Sequence, residues 1–170
     1  MSTVQRLIGW ALLVLLVIGG GLGLQPDAAI AASSAAIRAY DDVNVTTEDF
    51  SGQDLMQAEF NNARLAGANF SNADLRGAVF NGSVLKNANL KGIDFSDGIA
   101  YLSNLAGADL SDGIFTSAMM LKSNFRDATV TGADFSYAML DRDQILHLCE
   151  TASGVNPKTG MDTRESLGCR

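Results

Sequence analysis

The sequence predicts an all-β solenoid, and three features of its spacing carry that reading. All eight phenylalanines fall on multiples of five: Phe50, Phe60, Phe70, Phe80, Phe95, Phe115, Phe125 and Phe135. The remaining multiples of five from 50 to 145 are bulky and apolar, apart from Ala100. Two residues before this position, called i, the chain prefers a small side chain, as at Ala58, Ala68, Ser83 and Gly98. Two residues after it come turn formers such as Gly52, Asn62, Gly77 and Asp97. A period of five fits neither a helix nor a flat strand. Positions i−2 and i point to the same side of an extended chain, and the Gly, Asn or Asp that follows turns it. One small and one large residue face inward, and the chain winds into a solenoid.

The segment before the repeats is of a different kind. Residues 1–31 read as a signal peptide: Arg6, then an apolar run from Leu7 to Leu24, then Ala29-Ile30-Ala31 as an A-x-A cleavage site. Cleavage would start the mature chain at Ala32. The alternative is an uncleaved anchor, since the run is about as long as a minimal spanning helix. Residues 32–47 form a leader, with Ile37, Tyr40 and Val43 as candidates to cover the first coil.

Residues 48–147 hold the repeats. Ala68-Asn69-Phe70, Ala73-Asp74-Leu75, Ala88-Asn89-Leu90, Ala108-Asp109-Leu110 and Ala133-Asp134-Phe135 follow A-[DN]-[LF]-x-x. By this motif the chain resembles the pentapeptide-repeat family. The resemblance implies a right-handed quadrilateral β-helix of about five coils, with twenty residues in each. At ~4.8 Å between coils the rod would be roughly 24 Å long. Residues twenty apart would stack, and one inward column would read Phe60, Phe80, Ala100, Met120 and Leu140. Phe80 and Met120 are large enough to close over the small residue between them.

A short C-terminal helical cap follows. Asp141 and Gln144 resemble a capping box, and Ile145, Leu148 and Cys149 share one helical face. Residues 148–170 form a tail that holds both cysteines, Cys149 and Cys169. An even pair in an exported chain reads as a disulfide. A metal site would need more ligands than His147 and two distant thiols. The tail, with Arg38-Ala39-Tyr40-Asp41-Asp42, also resembles thylakoid-lumen pentapeptide-repeat proteins of cyanobacteria and chloroplasts. That implies an exported protein of the thylakoid lumen or periplasm.

No catalytic constellation is present: one histidine, no phosphate loop, no HExxH or CxxC. An enzyme is therefore not expected, and neither are a cofactor, a metal, a nucleic-acid partner or membrane insertion after cleavage. The outward position i−1 is more informative. Numbering the sides of the coil in chain order from Asp49, the second face stacks Asp54, Asp74, Asp94, Ile114 and Asp134. Repulsion along this acidic ladder should raise the proton affinity of its middle member. The carboxylates would order turns, bind a cation or respond to acidification. The third face stacks Glu59, Val79, Ile99, Met119 and Met139, with Tyr101, Leu102 and Leu121 beside them. Such an apolar patch marks an interface with a protein partner or a second copy, or is covered by the leader or by Val155, Met161 and Leu167 of the tail. The sequence thus predicts a non-catalytic interaction or scaffold protein acting through the third face. The alternative, implied by acidic family members, is a DNA mimic that inhibits a type II topoisomerase. Net charge −7 and pI near 4.5 fit it loosely, and the signal segment opposes it.

Overall fold

Extended geometry at i−1 and a sharp bend after i dictate how neighbouring turns of the chain meet. The N–H of residue i donates to the carbonyl nineteen residues on, as from Phe60 to Val79 at 2.7 Å. The N–H of i−1 donates backwards, as from Val79 to Ala58 at 2.9 Å. These two bonds make a parallel bridge between each i−1 residue and its counterpart twenty residues later, from Ala39↔Glu59 to Met119↔Met139. Four columns of such bridges run along the molecule, so the stacking expected at twenty residues is observed. The computed structural model describes residues 39–170. The signal segment, its A-x-A site and Ile37 lie outside those residues.

Every corner uses the same backbone device. From Asp42 to Tyr137, the residue two places after i has φ between 53° and 71°. Asn, Asp and Gly tolerate this left-handed conformation, which explains the turn formers. The Asp or Asn at i−1 holds the same corner from the other side. Its side-chain oxygen accepts the N–H two residues on, as Asp109 does from Ser111 at 2.9 Å and Asn89 from Lys91 at 3.1 Å. This is the Asx turn that competes well with regular structure at bends.

The core is aromatic, and its aromatic stack changes sides. Tyr40, Phe60 and Phe80 stack face to face at 4.6 and 4.7 Å, with Phe50 and Phe70 meeting them edge-on from the first side, across the coil. From Phe95 onward three of the four rings occupy the second side, where Phe115 and Phe135 stack at 5.0 Å, while Phe125 lies on the fourth. Ala100 marks the changeover. Phe80 and Met120 do flank it, but Phe95 also fills its space, and a void of about 10 Å³ remains. The same ring explains Gly98: a Cβ there would lie 2.4 Å from Phe95.

The ladder begins earlier than expected. Ala39 and Asn44 already pair with the next coil, and Tyr40 and Val45 occupy inward positions. So the leader drawn at 32–47 contributes its last nine residues to the solenoid. Tyr40 and Val43 pack on the core as anticipated.

At the other end the ladder stops at Met139 rather than continuing to 147. Helix α1, Arg142–Cys149, takes over. Its expected capping box forms, with the Asp141 N–H donating to Gln144 Oε1 at 2.6 Å. Within the solenoid, Ser83, Ser103 and Ser123 replace the small alanine and donate to the carbonyls of Phe60, Phe80 and Ala100. Gln144 continues that series. Its Nε2 donates to Met120 O at 3.0 Å and Ser123 O at 2.6 Å. The Asp141 carboxylate accepts the Lys122 N–H at 2.6 Å, where the next coil's carbonyl would have been. The cap thus supplies side-chain partners to backbone groups that a further coil would have paired.

The tail contains a second helix, α2, Thr163–Leu167, whose first N–H groups are capped by Asp162. The Cys149–Cys169 disulfide expected from the sequence is present, with Cα atoms 5.6 Å apart.

Candidate interaction faces

The acidic ladder stacks as expected, with Asp54 bridged to Asp74 and Asp74 to Asp94. Its predicted electrostatics need correcting. Arg76, two residues beyond Asp74, folds back and places its guanidinium on both carboxylate oxygens, at 2.8 and 2.6 Å. The pair holds the Asp74 carboxyl below the usual aspartate range, with a smaller contribution from Lys158. The middle carboxylate therefore loses proton affinity instead of gaining it. Asp94 and Asp134 each accept from the N–H and hydroxyl of a serine two residues on. Turn ordering accounts for these bonds.

The third face also assembles as expected. Val79, Ile99, Met119 and Met139 form one unbroken column of bridges. Val79, Ile99, Tyr101, Met119 and Leu121 are half-buried, while Leu102 is 56% and Met139 46% exposed. Sequence reasoning missed Tyr137, the corner residue entering Met139, which is 87% exposed. Its signal was available: the one aromatic at a corner position that mostly holds Gly, Asn or Asp. On the far edge of the face, Tyr101 and Leu102 close a shallow groove with Asn61, Asn62, Asn81 and Gly82.

The tail does not cover this face. It lies along the corner between the first and second faces, diagonally across the coil from the groove. Asn156 Nδ2 reaches the carbonyls of Gly113 and Gly132 at 3.0 and 2.9 Å, and Lys158 Nζ reaches Gly92 O at 2.7 Å. The Gly132 N–H donates to Ser153 O, and the Phe135 N–H to Ser166 Oγ. Leu167 is buried at the end of the core, and Val155 is 57% exposed beside Gly132. Satisfying the last coil's backbone groups, not apolar cover, decides where the tail goes.

A family profile for pentapeptide repeats matches the chain in eight copies, over residues 49–72, 58–97 and 102–141. The chain belongs to the pentapeptide-repeat family. A solved pentapeptide-repeat protein from the thylakoid lumen of Arabidopsis thaliana is similar over 75% of this chain and 89% of that one, with 36% identity and a TM-score of 0.74. The chloroplast thylakoid lumenal protein TL20.3 of the same plant is 57% identical over 42 residues. Its thylakoid lumenal 15 kDa protein 1 is 45% identical over 47 residues. Those two stretches cover 25% and 28% of this pentapeptide-repeat chain, and 15% and 21% of the relatives' lengths. These relatives bear out export, and of the two compartments expected, the thylakoid lumen is the one they occupy.

Proposed function

We propose that this pentapeptide-repeat protein is a non-catalytic interaction or scaffold protein of the thylakoid lumen. Its frame is a right-handed quadrilateral β-helix of about five coils, and it acts through the third face. Leu102 and Tyr137 carry the reading. Both are held in the left-handed conformation, with φ of 58° and 60°. That costs an L-residue roughly 1–2 kcal/mol, and both side chains then project into solvent. Glycine or asparagine would serve either turn at less cost. Large apolar side chains carried at strained corners and left mostly in solvent point to a role outside folding. Between them lies the column from Val79 to Met139, an apolar strip of the kind that marks interfaces.

The double variant Ile99→Glu, Met119→Glu tests the reading. Both residues point outward, so the variant should melt like the parent while losing its complexes from lumen extracts, or losing self-association by light scattering. A folded variant with the same partners and the same mass would remove the third face from consideration.

A further inference from the structure

The chain has two cysteines, and neither lies in the repeats. Their disulfide joins the end of α1 to the penultimate residue of the chain. Between them, residues 150–168 hold the corner of the first and second faces by a handful of polar contacts. Asn156 donates to the carbonyls of Asp112, Gly113 and Gly132, and Lys158 to that of Gly92. The segment buries few apolar side chains, Ala152 and Leu167. Ordering some twenty residues against so few contacts is entropically unfavourable unless the ends are tied. The solenoid has its own ladder and needs no such tie. Both cysteines are half-buried rather than enclosed.

We propose that the Cys149–Cys169 bond is a latch, and that a protein dithiol releases the segment as a strap. One thiolate of the dithiol attacks a sulfur of the bond and forms a mixed disulfide. Its second thiol then displaces the protein, leaving Cys149 and Cys169 as thiols and the dithiol as a disulfide. Two electrons and two protons pass to the protein. Release frees the carbonyls of Gly92, Asp112 and Gly132, a row of acceptors spanning three coils. The Asn156 amide and the Lys158 ammonium occupy that row in the latched state. A partner segment bearing the same donors would dock there in the open one. This surface is separate from the third face, so either can fail alone.

Hydrogen exchange on the full chain, with and without dithiothreitol, tests the latch. The Gly132 and Phe135 amides report the strap, since Ser153 and Ser166 are their acceptors. The Gly92 and Phe115 amides report the solenoid, since their acceptors Ser111 and Asp134 lie inside it. Reduction should speed exchange at the first pair by about a hundredfold, open a tryptic cut after Lys158, and leave the second pair unchanged. Reoxidation of uncut protein should restore protection and protease resistance, and Cys149→Ser with Cys169→Ser should mimic the reduced state. Gly132 and Phe135 amides that keep their protection after reduction would show that the strap holds without the bond. Loss at Gly92 and Phe115 as well would make the bond a support of the whole fold. Either result overturns the latch.

Discussion

At Gly98 the alanine of the repeat is missing because Phe95 has taken its room. The backbone there is ordinary, so the constraint is purely one of space. Gly98→Ala should therefore lower stability by about 1–3 kcal/mol, the usual cost of overpacking. Urea melts check this, and an unchanged midpoint would mean the ring has another place to go. Asp74 gives a second test at this scale. Arg76 depresses its carboxyl, so the pair stabilises the protein above the unfolded aspartate pKa, about 3.9. That contribution disappears as the pH falls through the lower, folded value. It is small, because both side chains are open to solvent, which screens the pair. An NMR titration should find Asp74 below the usual range, and Arg76→Ala should move it up. The inward register and the stacked carboxylates were legible in the sequence. The reversal at Asp74 was not, because it depends on the Arg76 side chain folding back over its own turn, which spacing alone does not specify.

The elements at the two ends differ in how well they could be foreseen. The start of α1 follows from Asp141 and Gln144 by local spacing alone. The second role of Gln144 does not, since it requires knowing that Ser83, Ser103 and Ser123 stack beneath it. At the first coil, Tyr40 and Val45 keep the register, but Arg38, Val43 and Glu48 stand where small residues belong. That broken pattern hides the ladder's beginning in the sequence. The serine series predicts a shared cost. Gln144→Ala and Ser103→Ala each strip a partner from buried carbonyls and should lose about 1–3 kcal/mol. Hydrogen exchange distinguishes them, because Gln144→Ala should loosen the last coil first and Ser103→Ala the middle. Equal loosening along the rod in both variants would refute the comparison.

Seen as a whole, the protein has one long apolar side and one corner held by its own tail. The apolar side was legible, because stacking at twenty residues turns a linear pattern into columns. The position of the tail was not, because it depends on which carbonyls Asn156 and Lys158 can reach. Leu102→Asn separates folding from function on the apolar side. It should raise the melting temperature, by relieving about 1 kcal/mol of backbone strain, and weaken whatever the third face binds. A variant that gains stability and keeps its partners would assign Leu102 no role there. The twenty-residue coil also constrains how such a chain can change over time. Removing one five-residue unit leaves every large residue facing inward, yet turns all that follows by a quarter of the coil. The core survives, while Met119 and Met139 move to a different side from Val79 and Ile99. A lineage that relies on this surface can gain or lose whole coils freely, but single units only at the cost of its binding side.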